Sequence, residues 1–458
     1  MTSTRWAILN EHRGRGYPLP YFNSFNKSIG RRYVRTTDAL STHDDCFFFV
    51  PFCYAMDQNE TVIKLSGFVT AAMNHNNNTG ADWQSTAEET EGVGYSKPTS
   101  MAPDSILGVQ FDATFNPVLT GTIQVVSRNM LDNTSTPQIE WANLQYTPTP
   151  NSMIRVGRMA NNTFLYSESR LVGFVHPTIH LPYTYMLNPA DQINGIDYNY
   201  FISHNDIVYS LGANYGVFNR QYDIFAPAIT GDIMDVHARM GSLHFDTTYG
   251  DHSFRMTYED GRIDIMDNNF LSYRQGLQGV AQLGIPLAAN EYNATNDEGV
   301  HLHYMEAAYT YNGTHFKVVG EWVRRDTDTL MAIPSTEGTY VTLGYDIDHV
   351  MSYVQVDCVR QIVNTSLPAL SGGGSGLAPV LGAINAFNTF MQSGTNRTTF
   401  SGGFRWNPLT KLDLKLQYDY IIKPAGYQGG FNFVNPNSNF INDRQVIQLY
   451  SAAIDFVF

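Results

Sequence analysis

The sequence predicts an all-β fold, a transmembrane antiparallel up-and-down β-barrel of about sixteen strands, and three observations carry that reading. The first is alternation. In the final stretch, Gln445 to Phe458, the residues Tyr450, Ala452, Ile454, Phe456 and Phe458 share one face while Ser451, Ala453 and Asp455 share the other, because side chains alternate across a strand. The second is composition. Charged residues make up only 15% and aromatics 13%, against roughly 25% charged in ordinary globular chains, and no apolar run approaches the roughly 18 residues of a membrane helix. A mean hydropathy of -0.24 suits a wall that is apolar outside and polar inside. The third is that tight turns alternate with long connections, as barrels with short turns at one rim and loops at the other require.

Taken in order, Thr61 to Asn74 opens the series, with Ile63, Leu65, Val69 and Ala71 opposite Lys64, Ser66 and Thr70. An acidic polar stretch, 75 to 103, separates it from Ile106 to Phe115, which turns at Asn116-Pro117 into Val118 to Arg128. Gln138 to Tyr146 and Met153 to Met159 flank the turn residues 147–151. After a long segment, Ile196 to Ser203 and Ile207 to Tyr215 meet at His204-Asn205-Asp206, and Ile233 to Thr247 meets Ser253 to Ile263 around Gly250. Val300 to Tyr311 and Thr314 to Arg325 are joined by Asn312-Gly313, the strongest short hairpin signal. Thr339 to Ile347 turns through Asp348-His349 into Met351 to Ile362; a Gly/Ser-rich loop, 365 to 395, then leads to Arg397 to Trp406. The fifteenth strand alternates Leu412, Leu414, Leu416, Tyr418 and Tyr420 with Asp413, Lys415, Gln417 and Asp419, and a loop, 425 to 442, returns to the closing strand. Tyr146, Tyr215, Tyr311, Trp322, Trp406 and Tyr420 suit interfacial girdles.

Charge is uneven along the chain. Residues 1–45 hold seven basic and four acidic residues, and the remainder 21 basic and 38 acidic, a balance of -17 that does not suit nucleic acid. Cys46 and Cys53 lie near the N-terminus and only Cys358 in the repetitive part, so there is no disulfide framework. The stretch Cys46 to Ala55, CFFFVPFCYA, follows the basic region and resembles the end of a secretory signal peptide with cleavage after Ala55. Residues 1–60 are therefore expected outside the barrel, which 61–458 would form.

A barrel of this size leaves an aqueous lumen unless something folds into it. The third long segment, Asn161 to Asn194, is richer in Phe164, Leu165, Leu171, Phe174 and Leu181 than a solvated loop should be, so it is expected to fold inward. Strand parity assigns Lys64, Arg128, Arg155, Lys317, Arg325, Arg397, Arg405, Lys411 and Lys415 to the lumen, with Asp112, Glu321, Asp346, Asp357, Asp413 and Asp419 as acidic counterparts. Such charges would act as an electrostatic filter.

The run Ile154 to Met159, IRVGRM, with the following FLYSESRLVGFVHPTIHLPYTYM to Met186, resembles the trimeric general porins of Gram-negative outer membranes, and the closing strand that ends in Phe458 is similar to theirs. The resemblance implies a passive diffusion channel for small hydrophilic solutes or ions, set in outer-membrane lipid as a homotrimer, with an inward-folded third extracellular loop. It implies that Phe458 is read by the outer-membrane assembly machinery. It also implies a basic ladder, here Lys64, Arg128 and Arg155, facing Glu168 on the loop, with Tyr166, Arg170 and His176 beside it at the constriction; Arg170 departs from the acidic pattern.

Two other readings stand against the channel, an outer-membrane barrel enzyme hydrolysing lipid or peptide and a soluble extracellular β-rich binding protein. Parity gathers no nucleophile, base and oxyanion donor, so catalysis is not expected. His301 and His303 point the same way from one strand at a spacing that could bind metal, but with no third ligand evident they read as solvated rim histidines. Pro177 argues against a helical pair for His176 and His180. Neither metal nor cofactor is expected.

Overall fold

The computed structural model describes residues 61–458 apart from 90–91, 189, 224–232, 331–332, 393 and 433. The signal-like stretch Cys46 to Ala55 and the basic residues before it lie outside the described residues. Among the described residues, sixteen long strands form the wall. The first eight are β1 (Val62–Asn76), β2 (Ile106–Asn116), β3 (Leu119–Arg128), β4 (Gln138–Thr149), β5 (Ser152–Ala160), β6 (Gln192–His204), β7 (Ile207–Asp223) and β8 (Ile233–Tyr249). The second eight are β9 (His252–Met266), β10 (Val300–Asn312), β11 (Phe316–Thr327), β12 (Thr336–Ile347), β13 (Val350–Gln361), β14 (Arg397–Leu409), β15 (Leu412–Lys423) and β16 (Gln445–Val457). Each pairs antiparallel with its neighbours, and β1 pairs with both β2 and β16, so the wall closes with no free edge. A two-residue strand, Thr99–Ser100, adds to the long-loop end of β1. Closure follows from the alternation: the outward face, with Leu107, Phe111, Leu144, Leu211, Leu243, Leu343, Phe404, Leu416 and Ile454 exposed, suits lipid, and lipid offers no partner to an unpaired backbone group.

The closing pair forms in a different register from the one a level join of the two ends suggests. Val69 lies opposite Phe456, Ala71 opposite Ile454 and His75 opposite Tyr450, so Ile63 and Leu65 run past the C-terminus. A barrel of tilted strands must stagger its register, and the two ends cannot be level. Gly67 and Phe458 exchange both backbone hydrogen bonds, at 3.1 and 3.0 Å. A Cβ at Gly67 would stand 2.3 Å from the Phe458 ring, so only glycine leaves the terminal aromatic its seat. Over the long-loop end of this seam, the connections 77–105 and 424–444 share a core of Trp83, Val93, Phe431 and Phe440 with Ile421 and Leu449 of the wall.

The connections are not all irregular. Residues 267–299 carry α1 (Asn268–Gln282) and α2 (Pro286–Ala294), and the stretch expected to be a Gly/Ser-rich loop carries α3 (Ala378–Gln392). Their local causes are plain. The Asp267 carboxylate caps α1 by accepting from the N–H groups of Asn269 and Phe270 at 2.8 and 2.9 Å, and Pro286 opens α2 where no N–H is needed. Leu381, Ile384 and Phe387 recur at helical spacing along α3. The Phe387 ring stacks on Tyr273 of α1 at 4.5 Å between centroids and meets Phe270 edge-on. These helices share one buried core with inward residues of β7 to β11, including Phe218, Val236, Met240, Ile263, Leu302 and Val323. The inner wall there is apolar, which parity reasoning about a water-filled lumen did not foresee.

Candidate functional site

The segment 161–191 leaves β5 and returns as β6, and it is hydrogen-bonded to inward side chains around much of the wall. On β9, the carboxylate of Glu259 accepts from Thr163 Oγ1 and Arg255 donates to the Asn162 carbonyl at 2.6 Å. On β11, Glu321 accepts from the Leu165 N–H at 2.9 Å and the Tyr185 hydroxyl at 2.7 Å, and Arg325 donates to the Leu187 carbonyl at 2.7 Å. On β13, Asp357 accepts from the Tyr183 N–H at 3.0 Å and Thr184 Oγ1 at 2.6 Å. On β14 and β15, Arg405 and Lys415 donate to the carbonyls of Phe174 and Gly173 at 2.6 and 2.7 Å.

Most of the parity-assigned charges therefore sit on the inward face but beneath this cover. Glu321, Arg325, Asp357, Arg397, Arg405, Asp413 and Lys415 are all buried instead of fronting water. Arg397 lies 3.9 Å over the Tyr183 ring. Arg405 pairs with Asp413 at 2.8 Å, and Lys415 with Asp455 at 2.8 Å. Arg128 is taken by Glu88 of the first long connection, which also holds Arg220. Burial alone would raise the Glu88 carboxyl, but Arg128 and Arg220 outweigh it and hold it at about 2.

Three expected roles are corrected. Lys411 lies in the short turn after β14 and is exposed there, because the strand begins only at Leu412; it does not line the wall. His176 is 3% exposed, with its Nε2 2.9 Å from the Ser169 carbonyl and its ring edge-on to Tyr166, so it packs within the segment. The basic ladder does not act as one unit: Lys64 stands at the short-turn rim opposite Asp112, Arg128 faces Glu88, and only Arg155 reaches Glu168.

What remains open to water inside is a smaller set. Arg155 pairs with Glu168 at 2.6 Å and with Asp197 at 2.8 Å; the Glu168 side chain keeps 29% exposure. Burial pushes the Glu168 carboxyl up, yet Arg155 and then Arg255 bring it below its ordinary value. Arg170 pairs with Asp191 at 3.0 Å. Tyr166 is half-buried, 6.2 Å from the Tyr185 ring. Arg255 lies 3.3 Å from Asp246, whose side chain keeps 27% exposure, and 3.7 Å from the buried Glu306. Sequence reasoning missed Arg255, Asp246 and Glu306, although the parity that selected Glu321 also places them inward. Toward the short-turn rim, Lys317 and Asp346 pair at 3.7 Å, and Asp112 accepts from Thr122 Oγ1 at 2.7 Å.

On the outer face, the ligand absent from the reading of His301 and His303 is supplied by β9. Asp260 Oδ2 lies 2.8 Å from His301 Nε2. The strand pairing β9–β10 brings it there, across 41 residues of sequence.

The closed wall, its apolar outer face and its charged inner face define a transmembrane-type β-barrel with the fold of Gram-negative outer-membrane porins. One solved structure agrees at the level of fold. The outer membrane channel DcaP of Acinetobacter baumannii superposes with a TM-score of 0.51 at 12% identity, covering 88% of this chain and 99% of that one. OmpT, an outer membrane protein of Vibrio cholerae, follows with a TM-score of 0.49, 9% identity and coverage of 88% and 99%. The anion-selective porin from Comamonas acidovorans has a TM-score of 0.48, 12% identity and coverage of 87% and 100%. No protein-family model matches the chain, and no curated protein sequence matches it.

Proposed function

We propose that this chain is an outer-membrane channel of a Gram-negative bacterium through which small hydrophilic solutes or ions diffuse passively, with residues 161–191 forming its constriction. The observation that carries the reading is the Arg155–Glu168 pair, a charge pair inside a closed barrel whose Glu168 stays partly exposed and within the electrostatic reach of Arg255. Charges of both signs around a narrow aqueous path in low-dielectric walls set up a transverse field that selects ions. The remaining cover is tied to the wall by buried hydrogen bonds, so the path would be narrower than an unobstructed barrel of sixteen strands. A solved structure of this fold is named an outer membrane channel, which supports transport. The resemblance of Ile154 to Met186 to trimeric porins extends the proposal to a homotrimer whose C-terminal Phe458 serves assembly.

Purified protein in planar bilayers tests this. Discrete conductance steps are expected, with a reversal potential in a salt gradient that moves toward anion preference in Glu168→Gln. Absence of steps from correctly folded protein contradicts the channel.

A further inference from the structure

Near the long-loop end, the outward face gathers a donor set that the channel does not use. Asp260 of β9 lies directly opposite His303 of β10, His303 lies directly opposite Asp326 of β11, and His301 is two residues along β10 on the same face. Opposed side chains on such a ladder have Cβ atoms about 4.5–5.5 Å apart, and diagonal ones stay within reach of long side chains. One ligand atom each from Asp260, His301 and His303 lies within 4.8 Å of the others.

We propose that Asp260, His301 and His303 form a binding site for a Zn2+-type transition-metal dication, with a fourth position open to water. Two imidazoles and one carboxylate are the donors such an ion takes, whereas Ca2+ and Mg2+ favour oxygen alone. Tetrahedral Zn2+ with bonds of about 2.0–2.2 Å holds its ligands roughly 3.4 Å apart. Small side-chain rotations close the gap, and Asp260 at 48% and His301 at 45% exposure have solvent-facing room for them.

Asp326 is engaged by Arg324, which donates to both its oxygens at 2.7 and 2.9 Å. Its Oδ2 is also 3.4 Å from His303 Nε2, so it orients that imidazole from behind the site. Arg262, opposite His301, is directed to the Gly299 carbonyl at 3.0 Å. The level also suits an ion. Tyr258 and Met305 pair in the next outward row toward mid-barrel, followed by Met256 and Ala307, while Arg262 and His301 pair in the row beyond the site; the cluster stands where the apolar band gives way to polar groups. Bound there, a metal would clip β9 to β10 at the root of the connection that carries α1 and α2.

The test uses the full chain in detergent, without a histidine tag, stripped with EDTA and titrated with ZnCl2 by calorimetry. A single Zn2+ per chain is expected to bind, undisplaced by excess Mg2+ or Ca2+. Affinity should fall roughly ten-fold or more in Asp260→Asn, and binding should be lost in the His301→Ala/His303→Ala double variant. His303→Gln, a milder change, should weaken binding by a similar factor. Heat-modifiable gel mobility reports that each variant is folded. Absence of Zn2+ binding to the wild type, equal binding by folded double variant and wild type, or displacement by Mg2+ would overturn the site.

Discussion

Two sectors of the inner wall differ in chemistry, and each matches what covers it. From β7 to β11 many of the inward residues at the long-loop end are apolar, with Val236, Met240, Ile263 and Leu302 packed under Phe270, Leu277 and Leu381 of the helices, and Arg220 and Arg325 are charged exceptions. From β13 to β16, mostly farther toward the short turns, the inward residues include Asp357, Arg405, Asp413, Lys415 and Asp455, all buried, and much of their cover is the hydrogen-bonding backbone of 173–184. The difference teaches that inward does not mean wet. A barrel wall can be lined for packing in one sector and for polar satisfaction in another, because a buried donor or acceptor without a partner costs about 1–3 kcal/mol, whereas an apolar side chain needs only to be covered.

The largest expected effect lies in the polar sector. Lys415→Met leaves Asp413 and Asp455 without their shared ammonium, and removal of one partner from a buried charge group costs about 3–5 kcal/mol. Urea unfolding in detergent micelles should show it, and a loss below about 1 kcal/mol would mean that water already solvates this wall. The matching change in the apolar sector is Leu277→Ala, expected to cost about 2–5 kcal/mol of cavity and lost packing. Its signature differs: protease should cut within 267–299 while the barrel's heat-modifiable mobility is retained. Cleavage in both regions together would show that the sectors unfold as one.

A smaller effect should follow pH. His180 is buried, which by itself lowers an imidazole, but Asp419 and Asp104 outweigh this and raise it to about 10. A base raised in the folded state contributes stability that is fully present below its ordinary value of about 6.5 and is lost as pH rises through about 10. The thermal midpoint should fall over that window in the wild type and fall less in His180→Gln; identical slopes would remove His180 from the anchorage. Smallest in the folded state is deletion of Phe458, which removes two backbone hydrogen bonds to Gly67 at the rim and should lower stability only slightly, yet reduce the amount assembled in the outer membrane. Equal assembled yields would contradict its role as a signal.

How much of this was legible in the sequence follows from what each feature depends on. The wall was readable because alternation is local: Leu412 to Tyr420 announces its two faces without reference to any partner. Turns such as Asn205-Asp206, where both residues take left-handed φ of 48° and 66°, were readable for the same reason. The helices were hidden by their low charge and by the Gly/Ser run before α3, and the register of closure by the barrel's stagger, which no single strand encodes. Parity places Asp357 and Lys415 on the inward face. Their burial depends on the segment 161–191, distant in sequence, and so does the selection of Arg155 alone from the basic ladder. The Asp260–His301–His303 cluster was half visible, since two ligands share a strand and the third arrives only through pairing.

The most direct test of the central claim, that solutes pass beside Glu168, is chemical block of the current. Glu168→Cys is made in a Cys358→Ser background, since Cys358 is exposed on the outer face, and a small charged methanethiosulfonate is added during a bilayer recording. The account expects the current to fall as the thiol reacts, with no change in the Cys358→Ser control. Full modification by mass spectrometry with an undiminished current would contradict it.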